Sequence, residues 1–214
     1  MRILLVVHRF PPEPVGGYDR WAMCLSRHLA GRGHEVAVVA RRPGEDVPAE
    51  QDLDGVRVLR YTPRRVPGWL WMFGRSLSTS GVKGVLRECD GRYDACISHP
   101  FFVKFVASCA PSMRRVYRAG GTLRGSRQWE EFARPAGSWK LRLLAGLSWR
   151  QMLRRERQAI RRAHRTVSPS ESVRRQLHHY YGVPLDAVQV IPHGVDPEQF
   201  LPAPRPPDGT LRVL

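Results

Sequence analysis

Short apolar runs alternate along the chain with longer stretches in which apolar residues recur at helical spacing. Ile3 to Val7 is a continuous apolar run of strand length, the pattern of a strand buried on both faces. A Pro- and Gly-rich loop, Phe10 to Gly17, ends it. Trp21, Leu25 and Leu29 then mark a helix that Gly31-Arg32-Gly33 stops. Glu35 to Ala40 reads as a second strand. Val56 to Arg60 reads as a third, after a polar loop with Asp52, Asp54 and Gly55. Val82 to Cys89 is helical, Tyr93 to Ser98 a strand, Phe101 to Cys109 a short helix and Arg115 to Tyr117 another strand. Residues 119–138 are loop-like, with Gly120, Gly121, Gly125 and Pro135.

The best-defined element is a helix from about Trp139 to Ala163. Arg150, Arg154, Arg157 and Arg161 form one basic stripe on it, and Ala145, Trp149, Met152, Ala159, Ile160 and Ala163 gather on the other side. Arg165 to Val167 is a short strand. Ser170 is a natural N-cap for a helix to about Tyr180, which Gly182 closes, and Val188 to Ile191 is a last strand. No internal repeat is visible. This alternation predicts an α/β fold, a Rossmann-like three-layer α/β/α domain with a mostly parallel sheet.

Three stretches resist or extend that reading. Within 63–81, Trp69 to Phe73 form an apolar cluster that is either a buried helix start or an element resting on a membrane or partner; the tendency of large aromatics to be buried favours the first. A segment with Pro202, Pro204, Pro206 and Pro207 looks like a linker. Leu211 to Leu214 has the apolar start of a further strand, so the expected organisation is a domain over 1–200, a linker over 201–210 and the first residues of a second domain over 211–214.

Composition narrows the classes. At 214 residues and 42% hydrophobic content the chain can bury a core as one large domain. No apolar run approaches the roughly 20 residues needed to cross a bilayer, and the first run ends at His8-Arg9 without a small-residue cleavage site. The four cysteines lack a CxxC pair, so neither a zinc ribbon nor a disulfide framework is indicated and a reducing cytoplasm fits. The net charge of +16 attracts polyanions, although a GC-rich genome also enriches arginine.

Candidate chemistry gathers at predicted strand ends, where open α/β sheets bind ligands. Gly16-Gly17 follow the first strand and precede a helix, whose N-terminus favours anions. The alternative is a tight turn that needs positive φ. Neither GxGxxG nor GxxxxGK[ST] is present, which counts against a common dehydrogenase and a P-loop kinase. His99 directly follows a strand and could bond sugar hydroxyls or orient a reacting group; a structural histidine is the competing reading. His178-His179 point to different sides of a helix and make a poor metal site, and Glu130-Glu131 are merely adjacent in a loop. Glu156 falls on the apolar face of its helix, where a carboxylate needs partners; anchoring a neighbouring loop is the preferred role.

Together these segments resemble the N-terminal domain of retaining GT-B glycosyltransferases of the group 1, family-four type, over essentially the whole chain. The markers are Met1-Arg2-Ile3-Leu4 through Phe10-Pro11-Pro12 to Gly16-Gly17, Leu29 to Val36, Tyr93-Asp94 to His99, Glu156 with Ala163 and Ser170, and Ile191-Pro192-His193-Gly194-Val195-Asp196 with Phe200. His193 stands where the family has asparagine, and His164 where it has aspartate. The resemblance implies the N-terminal half of a GT-B fold that binds the acceptor, with nucleotide-sugar as donor substrate and no obligatory metal or other cofactor. It implies a catalytic position at His99, donor-diphosphate contacts from Gly16 and Gly17, and acceptor or cleft positions at Tyr18, Gly120, Gly121 and Ser170. The family's acidic motif lies in its second domain, so this chain alone is expected to be inactive. Loops 41–54, 61–81 and 119–138 would shape the acceptor pocket, and no acceptor is named by them.

Three rivals remain. A basic α/β module could dock on an anionic membrane surface through the arginine stripe; nucleic acid is disfavoured because no nucleic-acid motif occurs. A Rossmann oxidoreductase lacks its glycine signature. A naturally split transferase would pair this chain with a separate half. The expected setting is cytoplasmic, or peripheral on the inner face of the membrane.

Overall fold

The computed structural model describes residues 1–13, 16–64, 79–125 and 139–194. The cluster Trp69 to Phe73, Glu130-Glu131, Val195, Asp196, Phe200, the Pro-rich segment and residues 211–214 lie outside them.

The elements are β1 (Arg2–Val6), α1 (Gly17–Gly31), β2 (Glu35–Arg41), β3 (Glu50–Leu53), β4 (Val56–Tyr61), α2 (Val82–Cys89), β5 (Ala95–Ser98), α3 (Pro100–Cys109), β6 (Arg114–Arg118), α4 (Trp139–Arg162), β7 (Arg165–Ser168), α5 (Glu171–Tyr181) and β8 (Val188–Val190). Eight strands form one sheet in the order β3-β4-β2-β1-β5-β6-β7-β8, with every pairing parallel except β3 against β4. This is the α/β fold that the alternating pattern predicts. From β1 the chain builds outward through β2 to β4, then returns to add β5 on the other side of β1. The reversal creates a switch point between β1 and β5, and a crevice at their carboxyl ends.

The strands that flank the crevice are buried on both faces because helices cover both. Ile3, Leu5, Val7, Val36 and Val38 pack with Ala22 of α1 on one face. Leu4, Val6, Ala37 and Val39 pack with Leu86 of α2 and Phe102 and Val106 of α3 on the other. A third cluster joins Tyr117 of β6, Val103 of α3, Ala159 of α4, Val173 and Leu177 of α5, and Val188 of β8. Each buried Val or Leu side chain contributes about 1.5–3 kcal/mol relative to exposure, so the two-sided core fixes β1 and β5 rigidly beneath the crevice.

One reading of the sequence is corrected. The segment taken as a polar loop before β4 contains β3, whose Glu50 and Asp52 register with Leu59 and Arg57 of β4. Asp54 and Gly55 both have positive φ (56° and 76°), the backbone of a tight two-residue hairpin turn. Elsewhere the local signals hold. Ser170 Oγ accepts from the Val173 N–H at 3.3 Å, and Gly182, with φ 67° and ψ 24°, ends α5 in the left-handed conformation. Arg150, Arg154, Arg157 and Arg161 are exposed, while Ala145, Trp149 and Ala159 are buried. Cys24 is exposed and Cys89, Cys96 and Cys109 are buried, all as free thiols. No helix among the described residues is long and apolar enough to cross a membrane.

Candidate functional site

β1 and β5 end side by side. The His99 N–H donates to the Val6 carbonyl at 3.1 Å, which carries the pairing one residue past β5. His8 and His99 are thereby brought together at the mouth of the crevice, ring centroids 5.0 Å apart. His99 also caps α3: its Nδ1 accepts from the Phe101 N–H at 3.5 Å, with Pro100 in the first helical turn. Acceptance at Nδ1 places the proton of the neutral ring on Nε2. The ring stacks on Phe101 at 5.1 Å and meets Tyr18 edge-on at 4.9 Å, so three aromatic contacts fix its orientation.

The cavity above these strand ends has a volume of about 720 Å³, in the range of small-molecule sites. His8 and Arg9 line it after β1, Arg41 at the end of β2, His99 to Phe101 after β5, Arg118 at the end of β6 with Gly120 to Leu123 beyond it, and Met152, Arg155 and Glu156 from α4. His99, Gly16, Tyr18, Gly120 and Gly121 are therefore brought to one cavity, and Gly17 sits between two lining residues. Ser170 does not line it; that hydroxyl caps α5.

Gly16 and Gly17 are not there for positive φ. Gly16 has φ −81°, and neither glycine is in the left-handed region. A Cβ at Gly17 would meet nothing within 4 Å, so no packing requirement accounts for that glycine. The Gly16 N–H is directed at Asp19 Oδ2 over a long 3.4 Å, whereas the Gly17 N–H has no acceptor among the described residues. Asp19 is buried, and burial pushes its carboxyl above the usual range.

Charged groups decide the electrostatics, and most escaped sequence reasoning. On the α1 side, Arg41 Nε donates to both Glu13 oxygens at 3.0 and 3.2 Å, and buried Arg60 donates to the carbonyls of Pro11 and Arg41. On the far side, Arg118 is only 6% exposed. Its Cζ stands 4.0 Å from the Trp21 ring centroid and 5.3 Å from that of Tyr18, and Nη2 donates to His193 Nε2 at 2.8 Å. Burial lowers the pKa of both Arg118 and His193, and the charge of Arg118 lowers that of His193 further. Glu156 is the loop anchor its position suggested: its carboxylate accepts from the Leu123 N–H at 3.1 Å and from Tyr181 Oη. Burial raises its pKa. Arg118 carries the same signal as His99, a polar residue at the carboxyl end of an inner strand, and applying the rule to β6 would have found it.

A family model, Glycosyltransferase Family 4, matches residues 15–199. Over 204 residues the chain is 24% identical to an uncharacterized glycosyltransferase of Methanocaldococcus jannaschii, covering 94% of this chain and 48% of that protein. Among solved structures it resembles sucrose-phosphate synthase from Thermosynechococcus elongatus, with TM-score 0.69 at 14% identity, over 94% of this chain and 50% of that one. It also resembles HepE of Anabaena in complex with UDP, with TM-score 0.53 at 15% identity, over 92% and 45%. These structural likenesses concern the fold. The chain spans about half the length of the curated relatives it matches.

Proposed function

The chain belongs to Glycosyltransferase Family 4, and on that premise we propose that it forms the acceptor-side wall of a transferase that moves a hexosyl group from a nucleotide-sugar to an acceptor, with retention at the anomeric carbon. The observation that carries this reading is the convergence of His99, Tyr18 and the N-terminus of α1 on one cavity at the switch point. The Gly17 amide and the positive end of the α1 dipole would stabilise the leaving diphosphate, and no step needs a metal. The Nε2–H of His99 would donate to a hydroxyl or ring oxygen of the reacting sugar. UDP in the HepE complex is consistent with a nucleotide donor. The remaining donor contacts and the acidic motif would come from a second domain, which accords with the chain's half share of its relatives. The 214-residue chain alone would then fold without turning over.

The test is His99→Ala in the whole protein, assayed by nucleoside diphosphate release with an accepted nucleotide-sugar. Loss of one positioned donor in a preorganised site costs roughly 100-fold or more in kcat. Unchanged turnover would contradict the role of His99, and turnover by the 214-residue chain alone would contradict the two-domain site.

A second reading concerns location. On α4, Leu143 and Leu147 are 57% and 45% exposed beside the Arg150, Arg154, Arg157 and Arg161 stripe. Apolar groups flanked by arginines suit peripheral contact with an anionic membrane, by burial of leucines and attraction of headgroups. Co-sedimentation with phosphatidylcholine vesicles, with and without phosphatidylglycerol, should show binding only to the anionic vesicles and its loss with salt. Binding indifferent to both would count against it.

A further inference from the structure

Resting on the reading of the crevice as an acceptor site, we propose that Arg118 binds a phosphomonoester carried by the acceptor sugar, with the amides of Gly120 and Gly121 completing the cradle.

Arginine stays protonated, and a buried guanidinium is ordinarily met by a carboxylate or a set of carbonyls. Arg118 has neither among the described residues. Its contacts are the ring faces of Trp21 and Tyr18 and the ring of His193. Cation–π contacts occupy the faces of the guanidinium and leave its in-plane donors available. His193 takes Nη2 and brings no negative charge. Among the described residues the cation is thus oriented but not neutralised.

The space in front of it is kept open. Nη1 has no hydrogen-bond partner among the described residues, and a Cβ on Gly120 would lie 3.6 Å from it. A Cβ on Gly121 would meet nothing within 4 Å, and neither glycine amide donates to a described residue. Neither glycine has positive φ, so turn geometry does not require them. A guanidinium edge beside two amides offers donors to several oxygens of one tetrahedral anion.

The surrounding charge favours a dianion. Arg9 and Arg155 line the same cavity. Of the acidic groups there, Asp19 faces the Gly16 N–H and Glu156 is taken by Leu123 and Tyr181, while Arg41 is already paired with Glu13. Tyr18 touches both His99 and Arg118, at 4.9 and 5.3 Å, so a phosphate at Arg118 would leave its sugar reaching toward His99.

Calorimetric titration of the 214-residue chain with glucose 6-phosphate, glucose 1-phosphate, glucose and inorganic phosphate tests this. At least one phosphosugar should bind at least tenfold tighter than glucose and than inorganic phosphate. Arg118→Gln should weaken that binding at least tenfold, and Arg118→Lys should keep part of it. Gly120→Leu, which fills the space beside Nη1 without removing charge, should weaken it comparably, so a folding defect in one variant does not decide the outcome. Phosphosugars binding no tighter than glucose, or equally well to Arg118→Gln, would overturn the proposal. Inorganic phosphate binding as tightly as the phosphosugars would also overturn it, as a free-anion site. Transfer by the whole protein to uncharged acceptors at full rate would contradict this inference alone. Retained phosphosugar binding without any nucleotide-sugar turnover would contradict the transferase reading alone.

Discussion

The two walls of the crevice each bury an arginine, and they treat it in opposite ways. On the wall formed by β2, β4 and the loop after β1, Arg60 is 4% exposed, and its guanidinium is held by the carbonyls of Pro11 and Arg41. The neighbouring Arg41 is paired with Glu13, whose side chain is 10% exposed. On the wall formed by β6, Arg118 is equally buried, yet its partners are two aromatic faces and a histidine. The first wall meets both terminal nitrogens of its cation with backbone carbonyls, although Arg60 Nε has no partner among the described residues, and so holds a loop in place. The second gives its cation neither a carboxylate nor a carbonyl among the described residues, which is the basis for assigning it to a ligand. Burial alone does not separate a structural arginine from a binding one; the sign and identity of its partners do.

The largest expected effect breaks the first wall. Arg60→Met takes the donor away from the half-buried carbonyls of Pro11 and Arg41 and should lower unfolding free energy by about 2 kcal/mol in denaturant melts, because each polar group left unsatisfied costs on the order of 1–3 kcal/mol when buried and less when half-exposed. Phosphosugar affinity of the folded fraction should stay unchanged. Next is Glu13→Gln, which removes the partner of Arg41. Because Arg41 is 43% exposed, solvent screens the pair, and the loss should be about 1 kcal/mol and shrink in salt.

Smaller and opposite in sign is Arg118→Met. It removes a desolvated charge and leaves an apolar side chain beside the Trp21 ring that the guanidinium now faces, so the ligand-free chain should be as stable or up to about 1 kcal/mol more stable. A loss comparable to that of Arg60→Met would show that both arginines are structural. The smallest effect belongs to Glu156, whose pKa burial raises above the ordinary value of 4.5. The folded state holds that proton more tightly than the unfolded state. Stability from this group is therefore fully present below about pH 4.5 and declines as pH rises through its raised folded value. Glu156→Gln should flatten that part of the pH–stability curve, read by thermal melts between pH 4 and 7.

The same contrast marks what the sequence made legible. The apolar runs of β1 and β2 and the caps Ser170 and Gly182 are local signals, and they set the sheet and helices correctly. His99 was legible because position at a strand end needs only the local pattern. β3 was not, because Glu50-Gln51-Asp52-Leu53 is a partly exposed edge strand with no apolar alternation. Its real signal was the Asp54-Gly55 turn. Arg118 was legible by position, directly after the strand read at Arg115 to Tyr117, but its burial was not, since that depends on Trp21 and Tyr18, about a hundred residues earlier. The positive-φ reading of Gly16-Gly17 failed because the chain passes from extended backbone at Gly16 directly into α1 at Gly17, with no turn between them.

The most direct test of the crevice as the acceptor site is chemical-shift mapping of the chain during titration with glucose 6-phosphate, following the imidazole of His99 and the indole of Trp21. Both signals should move and saturate with one dissociation constant, while Leu147 and Tyr180, in the groove between α4 and α5, stay still. Shifts confined to that groove, with His99 and Trp21 unmoved, would contradict it.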